Sequence, residues 1–280
     1  MKSSIKIQSR SFLSQGLRSA WLAITILSLT AASAVLADGH KDKDRDQGPH
    51  IYPPESRPFG KSYPDWHAAF WQWVLARPIE GHPFIDAPNF DFSAGQSGKV
   101  WFVGAPDGPL TRTATISEGT ALFLTIRDVE TSSLELPPFF GATEAGQRAN
   151  SKWFADHIVD LFCIIDGVPV KNLEAYRFAS PQFEFTAPTP WVWGNPDDNI
   201  GGTGTSVGDG YFVMVDSFSK GKHTIHYGGT YHFEPGELAD EAVDLPHDVT
   251  IDLTVGQGRP HGHGDDDYDK DQADGRGDRR

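Results

Sequence analysis

Hydrophobic and polar positions divide the chain into a short apolar leader, one long mixed segment and two polar ends. In the mixed segment Trp66, Ala69, Phe70, Trp73 and Val74 recur at three- and four-residue steps, with Arg77 next in the series. That spacing predicts a helix with an aromatic stripe on one face. Ser62 can cap it, Pro64 suits its first turn, Asp65 lies three residues after Ser62, and Pro78 stops it. A second, weaker helix is predicted over about 144–159, carrying Trp153, Phe154 and His157.

The remaining apolar runs have strand length. They are 99–104, 112–116, 121–126, 161–165, 168–170, 183–185, 211–215, 223–227, 230–233 and 249–255, punctuated by Gly and Pro turns. Asp166-Gly167 between two of them is a two-residue hairpin signal. Many short strands that do not alternate with helices predict an all-β fold. The expected form is an antiparallel β-sandwich, jelly-roll or immunoglobulin-like, with two short packed helices. The sandwich domain is expected over 59–256. The flanking 38–58 and 257–280 are rich in charge, Gly and His and nearly lack apolar residues, so they are expected to remain disordered.

The leader changes the picture of where the protein works. Residues 1–37 hold Lys2, Lys6, Arg10 and Arg18 and no acid. An apolar run from Ala20 to Leu36 ends in Val35-Leu36-Ala37 before Asp38. A basic start, an apolar core and small residues at the −3 and −1 positions are the features of a signal peptide. The run is 17 residues long and its second half is polar, short of the roughly 20 apolar residues that span a bilayer. The expectation is an exported protein, periplasmic or extracellular, whose mature chain begins at Asp38 and keeps no stable membrane span.

Charge narrows the partners. The chain carries 24 Lys+Arg against 38 Asp+Glu; losing the four leader cations leaves 20 against 38, a mature charge of −18. Such a surface repels nucleic acid and allows neutral or cationic small molecules. The single cysteine, Cys163, lies in the apolar run Leu161–Ile165, which predicts a buried, inert thiol and excludes a disulfide scaffold.

The stretches Gly98-Lys-Val-Trp-Phe-Val-Gly104, Gly119-Thr-Ala-Leu-Phe123, Ile165-Asp-Gly-Val-Pro-Val170 and Gly221-Lys-His-Thr-Ile-His-Tyr-Gly-Gly229, with the Trp-rich helix, give the chain a further context. It resembles a family of exported bacterial β-sandwich proteins across most of 64–230. The resemblance implies export and a sandwich, and it carries over no catalytic residue.

Candidate chemistry sits in three places. The long loop 188–210 mixes Trp191, Trp193, Asn195, Asp197, Asp198 and Asn199 with Gly and Pro, a composition suited to stacking and hydrogen-bonding a glycan or other small molecule. Gly201-Gly202-Thr203-Gly204 within it reads as flexible loop. His226 and His232 could share a face across a Gly228-Gly229 turn. With a carboxylate, or with His67, His82, His157 or Glu234, they would form a metal site of the two-His, one-carboxylate kind. Asp267, Asp269 and Asp271 in the C-terminal end are spaced like oxygen ligands for a weakly held Ca²⁺, and the nearby histidines suit a transition metal. No nucleophile elbow, P-loop or H-E-x-x-H is present. Three functions compete on these grounds: a non-enzymatic binding module for a carbohydrate or other neutral ligand, a metal-assisted hydrolase, and a divalent-cation-binding surface protein.

Overall fold

The computed structural model describes residues 48–85, 90–194 and 199–256. The signal-peptide segment, Asn195, Asp197, Asp198 and the acidic row Asp267, Asp269 and Asp271 lie outside the described residues.

The first helix, α1 (Tyr63–Leu75), forms where its signals predict. The Asp65 amide donates to Ser62 Oγ and the Ser62 amide donates to Asp65 Oδ2, both at 3.3 Å, which closes a capping box. Its buried face differs from the predicted stripe. Tyr63, His67, Phe70, Trp71, Val74 and Leu75 are buried, while Trp66 and Trp73 are only half-buried. The helix is covered over a wider arc than one stripe, and the indole N–H groups of Trp66 and Trp73 reach outward to the carbonyls of Pro58 and Gly95. Ser62→Ala is expected to cost about 1 kcal/mol and lower the melting temperature by about 2–4 °C, read by thermal unfolding. The second helix, α2 (Glu144–Ala155), is capped by Thr143 and stops before the predicted end.

Eleven strands complete the described chain: β1 (His50–Ile51), β2 (Val100–Val103), β3 (Gly108–Ser117), β4 (Ala121–Ser132), β5 (Ile158–Ile165), β6 (Val168–Pro169), β7 (Arg177–Ala179), β8 (Phe183–Ala187), β9 (Gly202–Asp216), β10 (Gly221–Phe233) and β11 (Val243–Gly256). One sheet runs β1-β9-β4-β2, with β7 and β8 also pairing β9; the other runs β3-β11-β10-β5-β6. The fold is β-rich with two helices, as expected. The sheets are mixed, however, where antiparallel sheets were predicted. β2 runs parallel to β4, and β3 runs parallel to β11. Strand direction is set by long-range pairing, which periodicity does not encode.

The predicted hairpin joins β5 and β6. Asp166 and Gly167 take φ of 51° and 78°, the left-handed pair that a type I′ turn requires. Ordered chain also begins earlier than residue 59: Ile51 pairs with Val215, and the Tyr52 hydroxyl donates to Asp216 at 2.8 Å. The apolar pair Ile51-Tyr52 gives this otherwise polar stretch something to bury.

On β11 the residues Val249, Ile251, Leu253 and Val255 are buried while Asp248, Asp252 and Thr254 are exposed, so the second sheet has one wet face. β4 is buried along almost its whole length, so both its faces are covered. One face meets α1, with Phe123 and Phe212 against Phe70. Residues of both sheets join one apolar core. Cys163 lies in that core, where burial pushes its thiol up to about 12, as an inert thiol requires.

Candidate functional site

The site is built by β4 and begins with a β-bulge. Thr125 pairs with Phe212 but Arg127 pairs with Tyr211, so Ile126 is an extra residue on β4. A bulge re-aims every side chain beyond it. Before the bulge the odd residue Phe123 faces α1; after it the even residue Asp128 does, with its Oδ2 3.7 Å from Nε2 of His67. Glu130 follows two residues later on the same face. Arg127 turns the other way. Its guanidinium stacks 4.0 Å from the Tyr231 ring, pairs with Asp107 and donates to the Leu245 carbonyl.

β2 pairs with β4 only over Ala121–Leu124. From Thr125 to Thr131 the outer edge of β4 has no strand partner among the described residues. A cavity of about 390 Å³ opens along this free edge. Its aromatic wall is Trp71, Phe84, Phe139, Trp193 and Tyr231; its polar floor is Asp128, Glu130 and Glu135, flanked by Asp107, Arg127 and His247.

The floor is electrostatically unusual. Burial pushes the Asp128 carboxyl up, and the His67 ring and the Trp71 N–H beside it pull it back. Even so, Asp128 Oδ2, Trp71 Nε1 and His67 Nε2 have no hydrogen-bond partner of full geometry among the described residues. His67 Nδ1 donates to the Phe178 carbonyl at 3.0 Å, which fixes the ring with Nε2 toward Asp128. Glu130 accepts from Ser206 Oγ, and Glu135 accepts from Ser132 Oγ at 3.0 Å. The two glutamates hydrogen-bond each other. Burial raises both carboxyls, Glu130 to about 7 and Glu135 well above its usual range; repulsion from Asp128 adds to the first shift and repulsion from Glu130 to the second. His247 donates from Nδ1 to the Pro106 carbonyl at 3.1 Å, and burial lowers its pKa to about 4, so the ring is neutral near pH 7.

The predicted site residues divide. Trp193 reaches the cavity, 5.0 Å from the His82 ring and 5.9 Å from Phe84. Trp191 does not: it is 0% exposed and packs on Phe185 in the core. Asn199 contributes its backbone, the carbonyl accepting from the Trp191 amide at 2.9 Å and so closing the base of the loop. The loop is shorter than 188–210, because β9 begins at Gly202. Gly204 and Gly208, read as loop glycines, are strand residues whose missing Cβ makes room. At Gly208 a Cβ would collide with the His67 ring, and at Gly204 with Leu134.

The paired histidines do not meet. Gly228 and Gly229 lie within β10 rather than in a turn, so His226 and His232 are six residues apart on one strand, roughly 20 Å. His226 bonds Asp248 at 2.8 Å, and His232 bonds Asp244 at 2.7 Å. His157 bonds Glu237 at 3.1 Å, and His82 accepts from the Phe84 amide. No group of three or more His, Cys, Asp or Glu positioned to hold a metal occurs among the described residues.

Sequence reasoning missed Asp128, Glu130, Glu135 and His67. A signal existed: β4 continues past the apolar run 121–126 as Arg127-Asp128-Val129-Glu130, charges alternating with apolar residues in a strand with buried neighbours. Comparison with protein-family models, curated proteins and solved structures returns no match. Among the described residues no helix is long and apolar enough to cross a membrane.

Proposed function

We propose that this is an exported binding protein, a β-sandwich of mixed strands that holds a compact polar ligand, carbohydrate-like in its mix of ring faces and hydroxyls, in the cavity beside β4. One observation carries the reading. Asp128 Oδ2 and Trp71 Nε1 lie buried beside one another in an aromatic-walled cavity, and neither has a hydrogen-bond partner of full geometry among the described residues. Buried polar atoms are nearly always satisfied, and an acceptor and a donor left open in one cavity match a ligand that offers both a donor and an acceptor. Half-exposed Trp193 supplies the aromatic surface on which such a ring stacks, and Trp71 and Tyr231 complete the wall. The apolar leader and the resemblance to exported sandwich proteins support the location. The hydrolase built on His226 and His232 has no support in this geometry, since each histidine is committed to its own acid.

A thermal-shift screen of sugars and small metabolites tests the reading. Trp193→Ala is expected to weaken binding of the ligand found by about fivefold or more, the worth of a stacked ring being about 1 kcal/mol. Its effect on stability should be small, because Trp193 is half-exposed. Binding equal to wild type in this variant would place the ligand elsewhere.

A further inference from the structure

The Glu130 and Glu135 side chains lie in residues 4% and 6% exposed, and neither has a cationic partner among the described residues. The nearest cation on the cavity wall is committed elsewhere, since Arg127 is spent on Asp107, the Leu245 carbonyl and the Tyr231 ring. His247 is held neutral against Pro106. Asp128 adds a third acid to the same floor, with the His67 ring and the Trp71 N–H beside it and no hydrogen bond of full geometry to Oδ2 among the described residues. The cavity therefore gathers three buried acids, two of them with no cation to pair with among the described residues, beside the indoles of Trp71 and Trp193.

We propose that the ligand carries a protonated amine, seated between the Glu130–Glu135 pair and Asp128 with its carbon skeleton against Trp193 and Trp71. This rests on the binding reading above and deepens it. Carboxylates accept the N–H donors of a protonated amine, and an aromatic wall adds cation–π attraction to its charge. A hard divalent ion needs its oxygen ligands gathered about one point, and no three acids among the described residues are so placed. With no cation near, burial keeps the two carboxyls protonated below about pH 7. Seating the ammonium favours their ionised forms, so a proton is released to solvent as the complex forms.

Matched probes test this without knowledge of the natural ligand: glucosamine against glucose, and 3,3-dimethylbutan-1-amine against 3,3-dimethylbutan-1-ol, titrated calorimetrically at pH 6 in buffers of different ionisation enthalpy. At least one amine is expected to bind tenfold or more tighter than its neutral partner, with release of a proton. Glu130→Gln combined with Glu135→Gln should abolish that preference. Equal binding of amine and neutral partner would overturn the ammonium assignment and leave the cavity reading standing. So would Ca²⁺ binding in place of the amines, and so would binding by none of the four probes. An amine preference that survives Trp193→Ala unchanged would put the site elsewhere and remove both readings together.

Discussion

Trp191→Ala is expected to destabilise the protein by about 3–5 kcal/mol, with a fall in melting temperature on the order of 10 °C. The indole is wholly buried, 5.8 Å from the Phe185 ring and 6.0 Å from Trp193. Its removal leaves a cavity between β8 and the loop 188–201, bounded by residues whose positions are fixed from both sides. The Trp191 amide is tied to Asn199 and the Gly201 amide to Thr189 Oγ1, so the backbone has little freedom to collapse inward. The loss is one of packing, since Trp191 Nε1 donates to nothing among the described residues. Trp191→Phe should therefore recover much of the stability. Urea or thermal unfolding reads both variants. A melting temperature within 2–3 °C of wild type for the alanine variant, at roughly 2–4 °C per kcal/mol, would show that the indole is not a core residue.

The contrast between Trp191 and Trp193 shows how far the sequence could be read. Both stand in one loop two residues apart, and composition treats them alike; only the closing bond from Trp191 to Asn199 turns one inward and leaves the other on a cavity wall. Local signals were legible wherever the physics was local. The capping box of α1 and the Asp-Gly turn between β5 and β6 are determined by residues within a few positions of each other. What depended on partners distant in sequence was not. The parallel pairs are long-range, and so is the clash that requires Gly208 beside His67, a helix residue 141 positions away. The acid floor is hidden for the same reason. It exists because one bulged residue, Ile126, flips the faces of Asp128 and Glu130, and a bulge leaves no mark in a periodicity that simply appears to end.

Glu130→Gln is expected to raise stability at high pH relative to low. In the folded chain Glu130 titrates at about 7 against 4.5 for a free glutamate, first because of burial and also because of repulsion from Asp128. Between those values the folded state keeps a proton that the unfolded chain has released. Stability therefore falls as pH rises from about 4.5 to about 7 and levels off above, a loss of about 3 kcal/mol for a shift of this size. Glutamine cannot ionise. Its carbonyl can still accept from Ser206, and its amide can donate to Glu135, so the substitution leaves no buried group newly unpaired. The wild-type profile alone will not isolate Glu130, because Asp128 and Glu135 are raised in the same sense, while His82 and His247, both lowered to about 4 by burial, work in the opposite one: they stay neutral in the fold, and stability is lost as pH falls from 6.5 toward 4. The difference between variant and wild type cancels those histidines. Measured by urea unfolding, that difference should favour the variant by about 3 kcal/mol more at pH 8 than at pH 4.5. A difference equal at the two pH values within about 1 kcal/mol would mean that Glu130 carries its charge without penalty, and the buried acid pair would lose its claim to await a cation.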